Sequence, residues 1–130
     1  MPDSKDPNRW IEYAENDYQA AFQLKNTIAS SAAFLFHASV EKYLKAVLLY
    51  QKKRVPQIHD IAKLLELVSP QLTTQSREQQ AAKLLDIIFN FSRYPDDLLE
   101  MGLEETSSIY EASTVLRAYA RGELGLEGDL

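Results

Sequence analysis

From residue 31 to residue 52 the chain reads SAAFLFHASVEKYLKAVLLYQK, and apolar side chains fall on nearly every face of the helix that this spacing predicts. A helix that is apolar almost all round belongs in the middle of a protein, with other elements wrapped about it. This segment therefore sets the architecture. Yet His37, Glu41, Lys42 and Lys45 interrupt it. Residues four apart lie one above the other in a helix, so His37, Glu41 and Lys45 form a single polar line. Pairing of His37 with Glu41 and of Glu41 with Lys45 is one way to satisfy that line. Buried charge is costly without strong compensation, and another leucine would fill the same space. The line is therefore expected to face a cleft, a partner or a second polar line.

The remaining segments supply the wrapping. A first helix begins with Asp6 as cap and Pro7 in its first turn, and Trp10, Ala14, Tyr18, Ala21, Leu24 and Ile28 form its inward stripe. It ends before Ser30-Ser31, either of which is placed to cap the central helix. Pro56 closes that central helix. A short helix over about 59–68 has Asp60 near its positive end and Ile61, Leu64, Leu65 and Val68 facing inward, and Ser69-Pro70 stops it. Ser76 with Gln79 makes a capping box for a fourth helix, which buries Leu84, Leu85, Ile88 and Phe89 and ends near Ser92 because Tyr94 precedes a proline. A fifth runs from about Glu104 to Arg121, with Ile109, Ala112, Leu116 and Tyr119 as its stripe and Gly122 as its stop. No window alternates with period two and no internal repeat is evident. The expected fold is all-α: an antiparallel up-and-down bundle of four to five helices, one domain over residues 1–121 followed by a flexible acidic tail over 122–130. At 130 residues, 45% hydrophobic and 25% charged, the chain carries material for one such core.

Several classes of function lack their parts. There is no cysteine, which removes disulfides, thiol catalysis and Cys-based zinc sites. Neither a signal peptide nor an apolar run of membrane-spanning length is present, so the expectation is a cytoplasmic protein with no membrane association. A net charge of −5 opposes indiscriminate coating of nucleic acid. The basic run Lys52-Lys53-Arg54 reads as solvated charge at a helix end. The glycines, at 102, 122, 125 and 128, form no phosphate-cradling loop before a helix, and no serine sits in a nucleophile elbow. With His37 and His59 as the two imidazoles, no metal site and no cofactor are expected.

What remains is polar and clustered. Asp86, Asn90 and Arg93 share one side of the fourth helix, a second line for the first to meet. At its end FSRYPDD sets Arg93 beside Tyr94 and Pro95. A guanidinium fixed next to an aromatic ring suits phosphate or nucleotide recognition; it equally suits bridging Asp86, Asp96 or Asp97 to tie the loop down. Arg54 and His59 are spaced R-x4-H, but Pro56 lies between them, and His59 reads as a cap of the third helix near Asp60.

Taken in order after WIEYAENDYQAA, the stretches FHASVEKYLKAVLL, IHDIAKLLE and FNFSRYPDD resemble the HEPN domain, the higher eukaryote and prokaryote nucleotide-binding domain. The resemblance implies a bundle of four to five helices, commonly a homodimer and often encoded beside a small nucleotidyltransferase as a toxin–antitoxin pair. Active members of the family are metal-independent ribonucleases with an Arg-x(4–6)-His motif after the fourth helix. There the His moves a proton at the ribose 2′-hydroxyl or leaving oxygen and the Arg stabilises the phosphorane. Arg93 matches the motif arginine, but YPDDLLEMG after it contains no histidine. The expectation is a HEPN protein that binds a nucleotide, RNA or a nucleotidyltransferase partner through a cleft containing Arg93, Tyr94, Asp96, His37, Glu41 and Lys45. One alternative is a metal-independent ribonuclease toxin in which His59 or His37 partners Arg93. Another is a purely structural dimerisation module, for which Trp10, Tyr13, Tyr18 and Phe22 supply aromatic area.

Overall fold

Most of the apolar surface of the central segment is covered by the other helices. The computed structural model describes residues 4–92 and 103–126, and its elements are α1 (Pro7–Leu24), α2 (Ala29–Tyr50), α3 (Ile61–Val68), α4 (Arg77–Ser92) and α5 (Leu103–Glu123). No strand occurs among the described residues, so the fold is the expected all-α bundle. Helix α2 packs against each of the other four, most extensively against α1. Phe36, Val40, Tyr43, Leu44, Val47 and Leu48 of α2 are fully buried in one core with Leu64 and Leu65 of α3, Leu85 of α4 and Leu116 of α5. Small side chains bring α1 close: Ala14 and Ala21 face a helix that contributes Ala32 and Ala33 to the same core. The buried Ser39 hydroxyl donates to the Ala14 carbonyl at 2.7 Å.

The helix ends follow from local hydrogen bonding, with two departures from expectation. Asp6 accepts from Asn8 N at 3.0 Å ahead of Pro7, Asp60 accepts from Lys63 N at 3.0 Å, and Ser76 Oγ accepts from Gln79 N at 3.0 Å. Neither Ser30 nor Ser31 caps α2, however. Ile28 holds that position without a side-chain bond, because the turn is tight enough for Ile28 N to reach the Leu24 carbonyl at 2.9 Å and for Ala32 N to reach that of Ile28 at 3.0 Å. Both serines thus lie in the first turn, and Ile28 is 51% exposed instead of facing inward. At the other end of the chain α5 runs through Gly122 to Glu123. The left-handed residue is Gly125, with φ of 73°. Its N–H bonds to the Gly122 carbonyl at 3.1 Å and Leu126 N to that of Arg121 at 2.8 Å, a Schellman ending held by the buried Leu124. The same motif closes α2 with Lys52 in the left-handed position, φ 60°, while Lys53 Nζ donates to the Leu67 carbonyl at 2.9 Å.

A charged network crosses the bundle on the α1 and α5 side of α2. Arg117 of α5 clamps Glu15 of α1 through Nε at 2.8 Å and Nη2 at 3.0 Å. The Tyr43 hydroxyl donates to the same carboxylate, and Arg121 Nη1 donates to that hydroxyl at 3.2 Å. Burial pushes the Glu15 carboxyl up, but the hydrogen bonds from Arg117, Tyr43 and Gln19 outweigh it and hold the group below its ordinary value. Burial and the bond to Glu15 push Tyr43 up to about 12. Truncating one member of such a pair leaves the other charge buried and uncompensated. Arg117→Ala is accordingly expected to cost about 3 to 5 kcal/mol of stability, read from urea denaturation; a loss under about 1 kcal/mol, the size of an exposed pair, would contradict it.

Candidate functional site

On the opposite side of α2 the polar line divides. His37, 1% exposed, does not pair with Glu41 as its spacing suggested. Its Nε2 lies 3.1 Å from Asp86 Oδ1 on α4, and its ring stacks on Phe89, centroids 3.9 Å apart and planes 15° from parallel. Asp86 has two further donors, Ile61 N at 2.9 Å and Ala62 N at 3.0 Å. These are N–H groups of the first turn of α3, which have no partner within their own helix. Burial raises the Asp86 carboxyl, yet the bonds from His37, Ala62 and Ile61 prevail and hold it below the usual value. An ionised carboxylate only accepts, so His37 Nε2 carries the hydrogen.

Glu41 turns toward the connection between α2 and α3. Its Oε2 accepts from Lys45 Nζ at 2.8 Å and faces His59 Nδ1 at 2.9 Å. Because that oxygen already accepts from an ammonium, the imidazole nitrogen is the donor. In the neutral ring this leaves Nε2 as an acceptor, on a side chain that is 73% exposed. His59 therefore does not cap α3. Asp60 does so, and His59 stands one residue outside the helix, anchored to α2. Arg54, exposed in the same connection, is not the residue that anchors it.

Between these two imidazole–carboxylate pairs lies a groove of about 400 Å³, lined by Phe34, His37, Ala38, Glu41, Lys42, His59 and Phe89. A smaller recess of about 210 Å³, bordered by His59, Asp60, Asp86, Phe89 and Asn90, shares its edge. The Phe34 ring, on a residue 53% exposed, stacks on Phe89 with centroids 5.9 Å apart. Lys42 forms an ion pair with Asp17 of α1. Lys45 is not part of this wall; it is 6% exposed, behind Glu41 and 5.9 Å from the centre of the Trp10 ring. Of the residues singled out in the sequence, the fold brings His37, Glu41, Asp86, Asn90 and His59 to one place. Arg93, Tyr94, Asp96 and Asp97 lie outside the described residues. Phe34 and Lys42 join the groove beyond the residues expected there. The available signal was their spacing, since Phe34 and Ala38 share a helix face with His37, Glu41 and Lys42. Among the described residues no group of three or more His, Cys, Asp or Glu side chains could hold a metal ion, and no helix is long and apolar enough to cross a membrane.

Five helices in this order, with the polar line of the central one opening on a side groove, define a class of single-core helical bundle built around one buried helix. The HEPN domain profile matches residues 7–121, and the chain belongs to the HEPN family. Two solved structures share the bundle. TT1696 from Thermus thermophilus is 21% identical with a TM-score of 0.76, over 90% of this chain and 97% of that one. ST0689, an archaeal HEPN homologue, is 25% identical with a TM-score of 0.73, over 93% and 99%. No curated protein matches in sequence.

The folded Asp86 carboxyl titrates below its unfolded value of about 3.9. Its contribution is thus complete above about pH 4 and lost as pH falls through the folded value. Asp86→Asn is expected to cost about 2 to 3 kcal/mol at pH 7, with the gap to the wild type narrowing as urea denaturation is repeated at pH values falling below about 4. A gap independent of pH would show that the charge of Asp86 is not what holds α3.

Proposed function

We propose that this HEPN protein binds a nucleotide, free or within single-stranded RNA, in the groove between α2, α4 and the α2–α3 connection. One observation carries the reading: Phe34, Phe89 and His37 form a continuous series of stacked rings whose outermost member, Phe34, is half exposed beside the groove. Such a platform accepts a further flat ring, and stacking of one base on an aromatic side chain contributes about 1 to 3 kcal/mol. The groove volume, about 400 Å³, lies in the range of small-molecule sites. Arg93, three residues after Asn90 in sequence, is the group we assign to the phosphate. Family membership supports extending the proposal to a homodimer that works with a small nucleotidyltransferase in a toxin–antitoxin pair.

His59 favours a second reading. An imidazole held at Nδ1 by a carboxylate, with Nε2 available, is the arrangement of a general base. In that role it would take the proton of an RNA 2′-hydroxyl without a metal ion, making the protein a ribonuclease toxin. One experiment separates the two. Calorimetric titration with nucleoside monophosphates and a short single-stranded RNA is expected to show saturable binding, weakened about tenfold by Phe34→Ala and also by Arg93→Ala. The RNA is expected to stay intact in the presence of chelator. Absence of any binding overturns the proposal; cleavage that disappears in His59→Ala replaces it with the second reading.

A further inference from the structure

The groove offers hydrogen-bond acceptors. Glu41 Oε2 takes both Lys45 and His59, which leaves Oε1 without a protein donor among the described residues. His59 donates through Nδ1, so the neutral ring turns a lone pair outward at Nε2. His37 spends its Nε2 hydrogen on Asp86. The ammonium in the wall, Lys42, is drawn toward α1 by Asp17, and its remaining hydrogens suit a phosphate or a carbonyl oxygen at that side. The carboxylate oxygen that the groove wall leaves without a partner is thus Glu41 Oε1, an acceptor that suits N–H groups on a ligand, while His59 Nε2 stands at the outer edge of the groove.

We infer that the occupant of this groove is a guanine nucleotide, read through its N1–H and exocyclic 2-amino group by Glu41 Oε1. The inference rests on the proposed binding of a nucleotide in the same groove. Among the common bases guanine presents adjacent donors, N1–H and N2–H2, on one edge. Adenine sets an acceptor, N1, next to its amino group, and uracil flanks its single N–H with carbonyls. Either would place acceptor against acceptor, and a polar group left unpaired in a desolvated site weakens binding more than a lost contact does. A two-ring base also gives the larger stacking face for Phe34.

Inosine 5′-monophosphate differs from GMP only in lacking the 2-amino group, which makes the pair a clean probe. On the wild-type protein, calorimetric titration is expected to give GMP a Kd at least about tenfold lower than IMP, the size of one hydrogen bond to a charged acceptor, and lower than AMP. In Glu41→Gln, whose amide also donates, the preference for GMP over IMP is expected to collapse toward unity while weak purine binding persists. Equal affinity for GMP and IMP in the wild type overturns the inference and leaves nucleotide binding standing. No binding of any nucleotide overturns both. A preference for GMP that survives in a folded Glu41→Gln protein removes Glu41 as the reader; if that variant does not fold, the wild-type comparison decides alone.

Discussion

Asp86 is the side chain on which three helices depend. From α4 it accepts the two first-turn N–H groups of α3 and the imidazole of α2. Each of those donors would otherwise be buried or half-buried without a partner, and an unmet donor costs about 1 to 3 kcal/mol. The same contacts hold the carboxyl ionised, and an ionised acceptor fixes which nitrogen of His37 bears its hydrogen. Fold and groove are therefore not separable here. The residue that sets the start of α3 also sets the ring on which Phe89 and, through it, Phe34 are stacked.

The central helix carries polar side chains into the core in two directions, and in both they meet partners from other parts of the chain. Toward α1 and α5, Tyr43 joins Glu15, Arg117 and Arg121; toward α3 and α4, His37 and Glu41 meet Asp86 and His59. A buried ion pair adds little net stability over a well-packed apolar replacement. It does make the arrangement of the helices specific, because a displaced helix would leave charges unpaired. The two networks differ in access. Arg117 and Tyr43 are closed off, whereas His59 and Phe34 reach solvent, so only the second is disposed to meet a ligand.

Much of the fold is legible in the sequence because it is local. Caps at Asp6 and Ser76 and most of the inward stripes of α1 and α3 follow from spacing over a few residues, whereas Asp60 takes the cap of α3 that the spacing assigned to His59. The start of α2 departs from that reading because two serines are good caps in isolation, and the tight bond from Ile28 N to the Leu24 carbonyl settles the matter otherwise. Gly122 is not the stop it resembles, because burial of Leu124 carries the helix one residue past it. In the groove, the polar line and its meeting with Asp86 are expected from helix periodicity. The choice of His37 for Asp86, and of Glu41 for His59, is not, since residues 49 and 18 apart in sequence are joined only by packing. The Glu15–Arg117 pair spans 102 residues. Its sequence trace is faint but present: Arg117 and Arg121 are four apart and adjoin Leu116 and Ala120 on the buried stripe of α5.

Trp10 is the single tryptophan of the chain. Its indole N–H is tied to the Ser4 carbonyl at 2.9 Å, and the Lys45 ammonium that holds Glu41 stands 5.9 Å from its ring centre. The local field at the indole is thus coupled through one lysine to the carboxylate of the groove wall. Its fluorescence is a built-in, label-free optical probe of the electrostatic state of that wall, sensed from the shielded side of α2.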